Sequence, residues 1–191
     1  MKNIFFDLNK LKYLGKNCII GKSVRIRKPE ECYIGDGSII DDFTYISCSA
    51  EIGNFTHIAS GVSISGGNGK FRIGNYSTIS NHCSIHCASS DYSIVSLDLP
   101  SVPKEFQFGG EIKDICLGDF VTIGSHSCIL PGSIIPDGFA CGAYSLIKNS
   151  EYLPWSLYAG IPAKFLKARD KNLFLNSVYY KNLITNQFNI K

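Results

Sequence analysis

The chain has 191 residues, with 19 Lys and Arg against 16 Asp and Glu for a formal charge of +3, and only 18% of its residues are charged. That length suits one well-buried domain, and so small a positive balance, with no basic stripe and no aromatic interleaving, excludes nucleic acid as a partner. Eight cysteines without a CxxC pair, a start (MKNIFFDLNKLKYLGKN) too weakly apolar for a signal peptide, and no run approaching the roughly 20 apolar residues of a membrane helix predict a soluble cytoplasmic protein with reduced cysteines.

Residues 1–16 read as a cap, and Ile20 and Ile26 as an irregular first coil. From Ile34 an aliphatic residue then recurs every sixth position: Ile34, Ile40, Ile46, Ile52, Ile58 and Ile64. After the insertion GGNGKF at 66–71 the run resumes at Ile73, Ile79 and Ile85. A long interruption follows, and the phase returns at Leu117, Ile123, Ile129, Ile135, Cys141 and Ile147. Gly often follows the aliphatic residue, and a small residue often sits four after it, as at Ser38, Thr56, Ser77, Cys83 and Ser127.

A period of six fits neither a helix nor an alternating strand. It fits hexapeptide repeats wound as a parallel β-helix, three short strands to a coil, with the aliphatic residue on the axis and stacked coils satisfying each other's backbone groups. Ile34, Ile52, Ile73, Leu117 and Ile135 then share one face, Ile40, Ile58, Ile79, Ile123 and Cys141 the second, and Ile46, Ile64, Ile85, Ile129 and Ile147 the third. Both insertions keep the phase and leave at one edge, between the third face and the first. They are therefore external loops, and loops held on a rigid scaffold are common sites of chemistry. Residues 1–162 read as one capped β-helix domain with the long loop at about 86–116, and residues 163–191 as a C-terminal helical extension, with helix predicted within 163–180. The Lys, Phe, Leu and Tyr of that extension suit packing in a trimer, or light contact with a membrane surface.

With fifteen positions in phase, the chain resembles the hexapeptide acyltransferases of left-handed β-helix fold. The left hand comes from that resemblance, since spacing carries no hand. The segment LGDFVTIGSHSCILPGSIIPDGFACGAYSLIKNSEYLPWSLYAGIPAKFLKAR is similar to the closing part of the galactoside, maltose and serine acetyltransferases. SSDYS at 89–93 is similar to a loop of sugar acetyltransferases from surface-polysaccharide gene clusters (O-antigen and capsule). The resemblance implies a homotrimer with acetyl-CoA as acyl donor in the groove between prisms. Its pantetheine arm would follow backbone groups at Ser125 and Ala143, with Lys148 and Lys164 meeting phosphate or adenine. The implied reaction moves the acetyl group to a hydroxyl of a sugar or glycan precursor, whether free, nucleotide-linked or lipid-linked, in lipopolysaccharide biosynthesis.

Transfer to a hydroxyl requires a base within hydrogen-bond reach and a donor for the developing oxyanion, and imidazole suits the first task. The galactoside and maltose transferases carry a loop His where this chain reads SSD, nearest to Ser90. Catalytic candidates are therefore His57, in a phrase (FTHIAS) like one in the sugar transferases with SSDYS-like loops, and His82, with Asp91 to orient a histidine or hold the sugar. His57 precedes an inward aliphatic residue and is expected to point outward. His82 and His126 occupy the same corner on consecutive coils and are expected to stack at about 4.8 Å, while His86 opens the loop. Tyr92 and Phe106 in that loop offer apolar faces to a sugar ring.

Three rivals stand beside this reading. A nucleotide-linked amino sugar would present an amine, which makes N-acetylation an alternative. A zinc protein of the carbonic-anhydrase-like hexapeptide type would use His57, His82 and His86. The run HCSIHC does not converge as a four-ligand set, because Cys83 faces inward beside His82, so no metal site is assigned. A non-catalytic glycan-binding scaffold would lack the acyl-transferase closing segment.

Overall fold

The computed structural model describes residues 3–93, 95–177 and 181. Its strands wind as a three-sided parallel β-helix with a six-stranded first sheet, an eight-stranded second sheet and a six-stranded third sheet. On the first face Ile34, Ile52, Ile73, Leu117 and Ile135 are paired in register, and the other two faces carry the residues expected of them. These side chains fill the axis, where Ile34, Ile40, Ile46, Ile58, Ile64, Ile79 and Ile85 are wholly buried. The first coil is regular where irregularity was expected: Tyr13–Leu14 pairs with Tyr33–Ile34, so the N-terminal cap is shorter than residues 1–16. The insertion after the third coil is shorter too, because Phe71 is buried in the strand Lys70–Ile73.

Two side-chain ladders lock the coils together. At the inward corners Ser38, Thr56, Ser77 and Ser127 donate their hydroxyls to the carbonyls of Gly53, Gly74, Gly118 and Gly142. Along the edge between the first and second faces, the side-chain oxygens of Asp36, Asn54, Asn75, Asp119 and Asp137 each accept the amide of the residue one coil below. The glycine preceding most of these residues is required by close approach; a Cβ on Gly118 would meet the Asp137 amide at 2.8 Å.

The C-terminal end is closed by aromatic rings. Tyr158 takes the axial position above Cys141, stacks on Phe139 at 5.1 Å and accepts the Leu153 amide through its hydroxyl. The segment expected as helix opens instead as the strand Lys164–Ala168, antiparallel to Ser156–Ala159, and is followed by the five-residue helix Lys171–Leu175. Residues 178–180 of the predicted helix and 182–191 lie outside the described residues. Among the described residues no helix is long and apolar enough to cross a membrane.

Candidate active site

The three edges of the prism are chemically unlike. The edge between first and second faces is capped by the Asx ladder. The edge between third and first faces emits the long loop, which stands on the antiparallel pair Ala88–Ser89 and Glu111–Ile112. The edge between second and third faces has no such ladder above its first rung, where the Asp42 carboxylate accepts the Ser23 amide and hydroxyl. At the equivalent positions of the next coils stand Ser60, Asn81, Ser125 and Ala143. Among the described residues none of their amides has an acceptor in the chain. This is a column of free N–H donors one coil apart, and a ligand with carbonyls along its length can use it.

The same edge carries a column of rings in the left-handed backbone region: Phe43, then Gly61, then His82, His126 and Tyr144. His82 and His126 stack at 5.1 Å, as their phase predicted, and Tyr144 lies flat on His126 at 4.8 Å. A companion column on the first edge runs through Phe55, Tyr76 and Phe120 to Trp155. Side chains dislike this conformation by about 1–2 kcal/mol each, which stacking at about 0.5–1.5 kcal/mol per pair offsets.

His57 projects outward from the second face, as expected, and stands just before the edge of free amides. Its Nε2 lies 2.8 Å from Asp41 Oδ2, with the two side chains 44% and 42% exposed. A carboxylate acceptor fixes the proton on Nε2 and leaves Nδ1 as the basic nitrogen. Asp41 was missed in the sequence; its signal was its place one residue past Ile40, one coil below His57. Asp91, expected to orient a histidine or hold the sugar, accepts the amide and hydroxyl of Ser93 in a local turn at the start of the long loop. His86 meets the Ser65 hydroxyl at 3.1 Å, and burial pushes its pKa down.

The remaining candidates are dispersed along the prism. Ser125 and Ala143 sit together on the free-amide edge, and Lys148 and Lys164 are exposed near its C-terminal end. Tyr92, 92% exposed, and Phe106 lie on the long loop, which leaves a different edge from the one beside His57. Of the dense HCSIHC run, Cys83 turns its thiol to the Gly124 carbonyl and Cys87 to that of Lys70, so they do not converge with His82. Burial pushes the Cys83 thiol up to about 11 and that of Cys32 up to about 12, which keeps both protonated and unreactive. Among the described residues no group of three or more His, Cys, Asp or Glu could hold a metal ion. A surface groove of 630 Å³ on the first face, holding the Glu51–Arg72 ion pair, contains none of the predicted site residues.

No protein-family model matches the chain. A dTDP-4-amino-4,6-dideoxy-D-glucose acyltransferase of Escherichia coli is 33% identical over 190 residues, 94% of this chain and 97% of the relative. The N-acyltransferase AntD of Bacillus cereus, solved with dTDP and 3-hydroxybutyryl-CoA, is 30% identical with a TM-score of 0.83, covering 98% of this chain and 99% of that one. A single-residue variant of AntD, solved with dTDP-4-amino-4,6-dideoxyglucose and coenzyme A, is 27% identical with a TM-score of 0.81, covering 98% and 100%. This full-length likeness to N-acyltransferases corrects the expectation of a galactoside- or maltose-type O-acetyltransferase. That expectation leaned on the shared closing segment, which follows the coil geometry and not the acceptor atom.

Proposed function

The chain belongs to the hexapeptide-repeat β-solenoid acyltransferases, and we propose that within this family it transfers a short acyl group from a coenzyme A thioester to the amine of a nucleotide-linked amino sugar. The observation that carries the reading is the match over nearly the whole chain to an enzyme seen with such an amino sugar and coenzyme A together. In the proposed step the amine lone pair attacks the thioester carbonyl and forms the C–N bond. The C–S bond breaks, the nitrogen gives its proton to His57 Nδ1, and the coenzyme leaves as the thiolate, which collects that proton to become the free thiol. Asp41 holds the His57 ring through Nε2. The free amides of Ser125 and Ala143 suit the carbonyls of the pantetheine arm, and Lys148 and Lys164 suit its phosphates.

Acetyl-CoA is the donor this scheme takes first, with larger acyl groups such as the 3-hydroxybutyryl of the AntD complex beside it. A homotrimer completes the scheme. Glu51 and Arg72 pair across the outside of the first face, whereas the parallel strands of the second face, which present Ile39, His57, Thr78 and Thr122, carry no permanent charge, Lys164 and Lys167 standing on its terminal antiparallel strand. Those uncharged strands and the free-amide edge suit a neighbouring copy, whose long loop would reach the edge that this chain's own loop does not.

The test is thiol release from acetyl-CoA and 3-hydroxybutyryl-CoA with a dTDP-linked 4-amino sugar, its 4-hydroxy counterpart and free sugars, with mass spectrometry of products. Turnover confined to the amino sugar, adding one acyl mass, is expected. Acylation of the hydroxyl sugars instead, or no turnover with any acceptor, would overturn the proposal.

A further inference from the structure

The small net charge of the chain hides a polarity along the prism. Residues 1–28 hold eight Lys and Arg against Asp7 alone, whereas residues 29–191 hold eleven against fifteen Asp and Glu. The first of these stretches builds one end of the molecule. Tyr13–Leu14, Ile19–Ile20 and Arg25–Ile26 are the outermost strands of the three sheets, and the cap before them closes the axis with the buried Leu11. Lys10, Lys12, Lys16, Lys22, Arg25 and Arg27 are all exposed around this end, and among the described residues none of the six is held in an ion pair.

The nearest acids stand behind this ring of cations. Glu30, Glu31, Asp36, Asp41 and Asp42 belong to the second coil and the turn that enters it, one strand spacing of about 4.8 Å further along the axis. Three of them are engaged: Glu31 with Lys28, Asp41 with His57, and Asp42 with the Ser23 amide and hydroxyl. A surface laid against the end of the prism therefore meets the cations first. It also meets two apolar side chains. Asn3 donates to the carbonyls of Gly21 and Val24 and accepts the amides of Phe5 and Phe6, a turn that holds Ile4 and Phe5 outward at 68% and 54% exposed. Both are set among the cations: the Ile4 amide donates to the Lys22 carbonyl, and the Arg25 guanidinium lies 5.9 Å from the Phe5 ring.

We propose that this end of the prism docks on an anionic lipid surface, with Ile4 and Phe5 entering the boundary between headgroups and acyl chains and the surrounding Lys and Arg meeting lipid phosphates. Charge complementarity selects an anionic partner. The two apolar side chains at the tip select lipid over a soluble polyanion, against which they would stay in water. The opposite end suits the role less well, because Glu151 and Asp170 stand among its lysines and Arg169 is committed to the Gly138 carbonyl. Docking of this kind is independent of the acceptor of the acyl group, and it leaves His57 and the free-amide edge along the side of the prism open to soluble substrates.

The test is co-sedimentation of the full chain with vesicles of phosphatidylcholine alone and with phosphatidylglycerol added, beside a gel-shift titration with duplex DNA as a soluble polyanion. Wild type is expected to sediment with the phosphatidylglycerol vesicles only, and to be released near 1 M salt, where the screening length falls to about 3 Å. A basic residue near an anionic surface is worth about fivefold in binding, so Lys22→Ala with Arg25→Ala should weaken vesicle binding about 25-fold. Phe5→Ser should weaken it roughly tenfold, the lower end for taking such a side chain out of apolar surroundings. Lys167→Ala with Lys171→Ala, at the opposite end, should change nothing, and thermal unfolding shows that each variant is folded. Equal binding to phosphatidylcholine alone overturns the proposal. So does wild-type binding by the Lys22 and Arg25 variant or by Phe5→Ser, and so does a shift of duplex DNA without sedimentation on either vesicle.

Discussion

Removing the Asp41 carboxylate should slow acyl transfer through His57 and through nothing else. Both side chains of the pair are more than two-fifths exposed at 2.8 Å, which places it among solvent-screened ion pairs of about 0.2–1 kcal/mol. Since about 1.4 kcal/mol is a factor of ten, Asp41→Ala should lower kcat by up to about fivefold. The KM of the amino sugar should not move, because in the proposed scheme Asp41 acts on the imidazole and not on the substrate. Asp41→Asn keeps an oxygen that accepts the Nε2 proton, and should stay within about twofold of wild type by the same scale. His57→Ala loses the base itself, about 10²- to 10⁴-fold. The deciding variant is the double one: groups that act as a unit are not additive, so Asp41→Ala added to His57→Ala should cost nothing more. The assay is thiol release under saturating acyl-CoA, with thermal unfolding to show that each variant is folded. Additive losses, or an Asp41→Ala defect larger than that of His57→Ala, would refute the coupling.

Three further outcomes follow from the packing. Tyr76 stacks on both Phe55 and Phe120 at φ 53°; Tyr76→Ala should lose about 1–3 kcal/mol from two stacks, while Tyr76→Gly recovers about 1–2 kcal/mol of backbone strain. The glycine variant should therefore unfold at the higher urea concentration, the reverse of the usual order, and the opposite ranking would discount the strain. Burial holds His86 below its ordinary pKa, so the unfolded chain takes up the proton first as pH falls below about 6.5. Stability should decline on acidification through that window, and His86→Gln should flatten the slope of urea midpoints against pH. Arg169 donates to the Gly138 carbonyl at 2.6 Å and ties the end of the Lys164–Ala168 strand to the prism edge between the first and second faces. Arg169→Ala should speed amide exchange in that strand, by about 1 kcal/mol of local stability, without changing exchange at Ile58 or Ile79.

The axis of the β-helix was legible because burial forces one residue type to recur at one spacing, and even the loops declared themselves by preserving the phase. The histidine stack was legible for the same reason: His82 and His126 share a corner. What spacing could not show was how outward side chains on neighbouring coils choose partners. His57 was a candidate by its position, but its carboxylate is Asp41, sixteen residues away in sequence and adjacent only once the coils stack. Asp91, chosen for its place in the loop, also accepts from Ser93 two residues on, a local turn contact that spacing alone did not show. The C-terminal strand was hidden by a helix-compatible composition that the partner Ser156–Ala159 overrides. The capping of one edge by Asx residues, against the bare amides of the next, is written as Asp36, Asn54, Asn75, Asp119 and Asp137 in one column and Ser60, Asn81, Ser125 and Ala143 in another. It gains meaning only when the amide each side chain accepts is known.

That contrast bears on which atom is acylated. A hydroxyl acceptor needs a base strong enough to draw off its proton as the new bond forms, whereas a neutral amine attacks with its own lone pair and needs only a place to leave the proton afterwards. Among the described residues, His57 is the one imidazole joined to a carboxylate, and that carboxylate is screened by solvent. His82 and His126 are committed to a stack, and His86 to a serine. What the edge supplies in quantity is fixed amide donors and ring faces, which in the proposed scheme would bind and align two long substrates. Catalysis by alignment, with modest proton handling, is the economy that an amine nucleophile permits and an alcohol does not.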